Sequence, residues 1–187
     1  MKKITLTLFV FCTLLVGAQT TTDITKNNSD LKVNELKINT FNLIAFEQID
    51  LSYERLLNEE SSIGLSVLFS FDDDNYGIND ARREFSLTPF YRQFFGKKYA
   101  KGFFVEAFAM LHSGEYEAYL GLDDFTFQDI VSSEKFTDFA LGISAGGKFV
   151  TKRGFAAEVY LGIGRNLLNN SPYEVVGRGG ISLGYRF

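Results

Sequence analysis

Beyond Cys12 the chain has no cysteine, which excludes a disulfide framework and a thiol nucleophile from that point on. Tryptophan is absent, proline occurs twice, and His112 is the single histidine. After the N-terminus no apolar run approaches the ~20 residues of a membrane-crossing helix, so a helical membrane protein is excluded. Positive charge is also short, with 19 Lys and Arg against 23 Asp and Glu, which argues against a nucleic-acid partner.

What the chain does have is concentrated. "MKKITLTLFVFCTLLVGAQ" opens with Lys2 and Lys3, continues with an apolar run from Ile4 to Val16, and closes on Val16-Gly17-Ala18. This is the layout of a secretory signal peptide, residues 1–18, cut before Gln19 and too short to be a membrane anchor. Cys12 lies inside the apolar run rather than at the cut, so lipidation is excluded. Residues 19–34, "QTTTDITKNNSDLKVN", are polar and unpatterned and read as a flexible periplasmic leader. The remainder, 35–187, carries most of the 20 Phe and 9 Tyr.

In that remainder the apolar period is two, the signature of strands with distinct faces. In "SIGLSVLFSF", Ile63, Leu65, Val67, Phe69 and Phe71 share one side, with Gly64, Ser66 and Ser70 on the other and Leu68 as the exception. "FAAEVYLGIG" repeats the pattern with Phe155, Ala157, Val159, Leu161 and Ile163. Eight segments are predicted, near 35–43, 48–57, 62–71, 84–95, 102–112, 136–150, 154–164 and 176–187. The first keeps its phase poorly. Connections at 58–61, 96–101 and 151–153 are short, whereas 72–83, 113–135 and 165–175 are long. Such alternation predicts an all-β, eight-stranded antiparallel up-and-down transmembrane β-barrel, with short turns in the periplasm and long loops outside.

The polar face decides which side meets lipid. It is rich in glycine and serine, with isolated charges at Glu54, Arg92, Glu106, Asp138, Lys148, Glu158, Arg178 and Arg186. Small residues with charges of both signs suit a crowded lumen in which charges find partners. Eight strands leave room for side chains only, so a plugged barrel rather than a wide pore is expected. Glu54, Arg92, Glu106, Lys148, Glu158, Arg178 and Arg186 are read as a lumen charge network. Phe94, Phe95, Tyr99, Phe103, Phe149, Phe155, Tyr185 and Phe187 flank the short turns and the C-terminus, and are expected to form one aromatic girdle.

The ending "GISLGYRF" alternates Ile181, Leu183, Tyr185 and Phe187. It resembles the C-terminal strand signal of outer-membrane β-barrel proteins, and the resemblance implies recognition by the barrel assembly machinery. With the signal peptide, residues 35–187 look like a small eight-stranded barrel of the OmpA/OmpX type. "IDLSYERLL" (49–57) and "LTPFYRQFF" (87–95) are similar to short outer-membrane barrel families of unknown function. The resemblance implies an outer-membrane location in a Gram-negative cell envelope. An OmpA-type cell-wall tether is not expected.

Chemistry is sparse. His112, Ser113 and Glu115 invite comparison with lipid A deacylases, but consecutive strand residues point to opposite faces. Asp72-Asp73-Asp74 fails as an EF-hand loop, because Tyr76 takes a ligand position and Arg83 stands where the closing glutamate belongs. The long 113–135 connection combines acids with aromatics, and "FTFQDIV" (125–131) is read as a strand extension or short hairpin. Tyr116, Tyr119, Asp123, Asp124, Phe125 and Phe127 there form a candidate surface for an extracellular protein or glycan. The expectation is a monomeric, structural or surface-binding (adhesion) protein in outer-membrane lipid, without cofactor, metal or catalytic residues. Two alternatives stay open: a lipid-modifying barrel enzyme using His112, and a soluble periplasmic β-barrel with an apolar ligand.

Overall fold

The computed structural model describes residues 32–71, 81–96, 99–122, 129–168 and 170–187. They form eight strands and one helix: β1 (Asn34–Asn39), α1 (Thr40–Phe46), β2 (Gln48–Leu56), β3 (Ser61–Ser70), β4 (Ala81–Phe95), β5 (Gly102–Leu122), β6 (Asp129–Val150), β7 (Phe155–Asn166) and β8 (Val175–Arg186). Each strand pairs antiparallel with the next, and β8 returns to β1 to close the barrel. The closing register sets Glu35 opposite Arg186, Leu36 opposite Tyr185 and Ile38 opposite Leu183.

Alternation along each strand is what allows closure, because one set of side chains fills the interior while the other faces out. Along β7, Ala156, Glu158, Tyr160 and Gly164 point in, and Phe155, Val159, Leu161 and Ile163 stand exposed on the outside. Leu51, Tyr53, Ile63, Leu65, Phe69, Val105, Leu111, Leu141, Ile143, Ile181 and Leu183 continue the exposed apolar belt around the other strands. The interior is instead charged, serine-lined and aromatic.

Strand 35–43 is corrected by the structure. β1 stops at Asn39 and the chain turns into α1. Asn39 caps the helix, its side chain accepting the Asn42 N–H at 3.2 Å, and Glu47 ends it in the left-handed region at φ 53°. The change of period from two to 3.6 at this point is why the segment keeps no single phase. β5 and β6 run well beyond the predicted 102–112 and 136–150. They continue as a two-stranded hairpin to the Leu122–Asp129 pair, with a register shift between Tyr119 and Gly121.

The girdle is corrected at Phe94. Phe95, Phe103, Phe149, Phe155, Tyr185 and Phe187 are exposed at the short-turn end, but Phe94 is 2% exposed and packs inside with Phe104, Leu56 and Tyr160. A second interior layer joins Phe90, Phe108, Met110, Ala140 and Val176. Interior aromatics need flat walls opposite them. A Cβ on Gly64 would lie 2.2 Å from Phe90 Cζ, and one on Gly142 would lie 2.3 Å from Phe108 Cζ. The inward glycines therefore make space for rings.

Candidate functional site

Four glutamates and five cations meet in the barrel interior. Arg92 on β4 is the hub: Nε donates to Glu106 at 2.6 Å, Nη1 to Glu54 at 2.9 Å, and Nη1 and Nη2 to Glu158 at 2.7 and 3.2 Å. Its guanidinium lies 4.6 Å from the Phe90 ring centroid and 4.4 Å from that of Phe104, so aromatic faces cover what the carboxylates leave open. Lys37 donates to Glu54 at 2.5 Å and to Glu158 at 2.8 Å. Lys148 donates to Glu54 at 2.6 Å and to Glu35 at 2.8 Å.

The ends of the network are tied to the wall. Arg186 binds Glu35 at 2.6 Å and donates to the carbonyls of Tyr99 and Ala100, which fastens the β4–β5 turn. Arg178 pairs with Glu106. Ser62 donates to Glu54 at 2.6 Å and Ser144 to Glu106 at 2.7 Å. Strands from all around the ring thus supply a member. Burying this many charges costs several kcal/mol per ion, and only mutual pairing offsets it. The arrangement crosses the lumen at this level with its charges buried and paired.

All seven charges expected in the lumen, Glu54, Arg92, Glu106, Lys148, Glu158, Arg178 and Arg186, stand in this network. Sequence reasoning missed Glu35 and Lys37, which sit on the strand whose phase was obscured by α1. Their i, i+2 spacing was the available signal. Asp138 is buried but separate. It accepts N–H groups from Phe139 (2.7 Å), Leu168 (3.0 Å), Asn170 (3.1 Å) and Ser171 (3.0 Å), and so holds the β7–β8 connection down.

His112 and Ser113 are not brought together. His112 is buried inside the barrel, with Nε2 2.8 Å from Asn166 Oδ1 and its ring edge-on to Phe136, while Ser113 occupies the opposite face of β5. Glu115 pairs with Lys135 at 2.9 Å across the hairpin. Of the candidate binding surface, Tyr116 donates to Glu134 at 2.8 Å, and Tyr119 lies opposite Val131 in the hairpin. Asp123, Asp124, Phe125 and Phe127 lie outside the described residues, as do Asp72, Asp73 and Asp74. No group of three or more potential metal ligands occurs among the described residues.

The barrel is similar to the N-terminal β-barrel domain of Pseudomonas aeruginosa OprF, known from its crystal structure. The TM-score is 0.53 at 15% sequence identity, over 83% of this chain and 98% of that one. The likeness shows the fold, a closed eight-stranded antiparallel barrel. No family model matches the sequence, and no curated protein matches it.

Proposed function

We propose that this chain is an integral outer-membrane barrel protein with a sealed lumen, serving a structural role and a surface-binding or adhesion role through its long connections. The inversion of polarity carries the reading: paired charges lie inside and a continuous apolar belt outside. A contiguous apolar surface of that extent is not stable in water, and a bilayer is the solvent it matches. Closure supports the same reading, since a ring of paired strands leaves no open sheet edge except where side chains replace the ladder. The secretory leader and the "GISLGYRF" ending supply export and assembly by the barrel machinery. The β5–β6 hairpin, projecting beyond the ring, is the element best placed to meet an extracellular protein or glycan.

Cell fractionation tests the placement. The protein is expected in the outer-membrane fraction, with an unboiled band that runs differently from the boiled one, because folded barrels resist detergent until heated. Recovery in the detergent-free periplasmic extract refutes the reading.

A further inference from the structure

β1 is shorter than the strands it joins, and this opens the wall. It ends at Asn39, opposite Ser182, while β8 continues to Val175. Its last pairing with β2 is Ile38 with Leu51, although β2 continues to Gln48. Beyond those points no strand lies between β8 and β2 among the described residues, and α1 stands there instead. The β8 edge is left with alternate carbonyls facing the gap, and side chains cap them one after another. Thr40 Oγ1 donates to Ile181 O at 2.9 Å, Asn39 Nδ2 to Gly179 O at 3.1 Å, and Arg83 Nη2 to Gly177 O at 3.3 Å. Arg83 comes from β4, where a register shift between Arg83 and Phe85 interrupts the ladder.

A cavity of about 570 Å³ lies at this gap, within the ~300–1,000 Å³ typical of small-molecule sites. It touches Arg178 in the lumen and also Leu161, which is 77% exposed on the outer face. The cavity therefore passes through the wall. Its inner end carries Arg83, Arg178, Ser86 and Thr88, and its mouth carries Phe41, Phe46 and Leu161. Asp50 also lines it, but its carboxylate is taken up by Ser66, Asn39 and Asn42 rather than by a guanidinium. Arg178 is held by Glu106. Among the described residues Arg83 hydrogen-bonds only the Gly177 carbonyl; Asp50 and Arg178 act on it through space without a direct bond, so its guanidinium keeps N–H donors for a ligand in the cavity.

The mouth lies within the apolar belt, since exposed Ile163 is opposite Gly177 and exposed Val175 lies further along β8. α1 has no buried residue and exposes Phe41, Leu43, Ile44 and Phe46. We infer that this gap is a lateral doorway from the bilayer, and that the cavity receives a single-chain anionic amphiphile, its carboxylate or phosphate head on Arg83 and its chain along Phe41, Phe46 and Leu161. This rests on the membrane placement proposed above.

The test uses the full barrel folded in maltoside micelles, with displacement of a fluorescent fatty acid as the readout and heat-dependent mobility as the check on folding. Laurate and dodecyl phosphate are expected to displace the probe at least ten-fold better than dodecanol, while millimolar inorganic phosphate leaves it bound. R83Q, retaining the folded band, brings laurate down to the dodecanol level. Gly177→Leu, whose added Cβ meets no atom within 4 Å, narrows the mouth and weakens all chain-bearing ligands. Equal binding of laurate and dodecanol, or laurate affinity unchanged in R83Q and in Gly177→Leu, overturns the site. Displacement by inorganic phosphate overturns the lateral route. A barrel that binds laurate as expected but fractionates as periplasmic refutes the membrane placement instead.

Discussion

Phe187 and Asn34 exchange both backbone hydrogen bonds, Phe187 N to Asn34 O at 2.8 Å and Asn34 N to Phe187 O at 3.0 Å. Phe187 therefore closes the ring against β1 as well as presenting an exposed ring at the short-turn rim. Its deletion removes the end of the closing seam and the aromatic of the assembly pattern together. Folded barrel in the outer membrane of expressing cells is expected to fall sharply, as read by the heat-dependent band. Undiminished assembly would show that the Ile181, Leu183, Tyr185 and Phe187 pattern carries no assembly information.

Arg92→Met leaves three buried carboxylates, Glu54, Glu106 and Glu158, without their shared partner. Breaking a buried ionic cluster in this way costs about 3–5 kcal/mol. Urea unfolding of the barrel in liposomes measures it. A loss under about 1 kcal/mol would mean that Lys37, Lys148 and Arg178 neutralise the site without Arg92.

Val159 is exposed on the outer face of β7, roughly midway along the strand, opposite Ile181. Val159→Arg should destabilise the barrel in liposomes by about 2–4 kcal/mol if that height is the bilayer midplane. Glu158, the next residue, points inward to Arg92 and Lys37, so the two faces differ completely over one residue. Unaltered stability of Val159→Arg would place that face in water.

Gly64→Val tests the aromatic interior. The new Cβ meets Phe90 Cζ at 2.2 Å and Tyr53 O at 2.6 Å, the second a backbone atom that cannot swing away. Overpacking of this kind typically costs about 1–3 kcal/mol. In a Phe90→Ala background the same Gly64→Val change should cost less in the same urea titration, because the smaller side chain vacates the contact.

Much of the barrel was legible because its main rule is local. A strand alternates faces every residue, so Phe155 to Ile163 reveals its two sides without any knowledge of neighbours, and charges such as Glu158 follow onto the inner face. Phe94 was legible by the same rule, standing two residues from inward Arg92, yet its place beside the turn put it in the expected girdle. It shares the turn-flanking position of Phe95, and the pleat phase of β4 sends one ring into the lumen and the other outward. Glu35 and Lys37 were hidden for another reason. They alternate correctly, but the helical segment that follows blurs the period of the stretch.

The sequence by itself determined the number of strands, the two faces of most of them and the sign of the polarity between inside and outside. Each depends on residues close together along the chain. Tertiary structure decided which charge meets which, as with Glu35 and Arg186, 151 positions apart, because those partners are set by the register at which the ring closes. It also decided that β1 stops short and that Arg83 reaches from β4 to the unpaired edge of β8. A doorway in a wall is a relation between strands from both ends of the chain, and no local pattern encodes it.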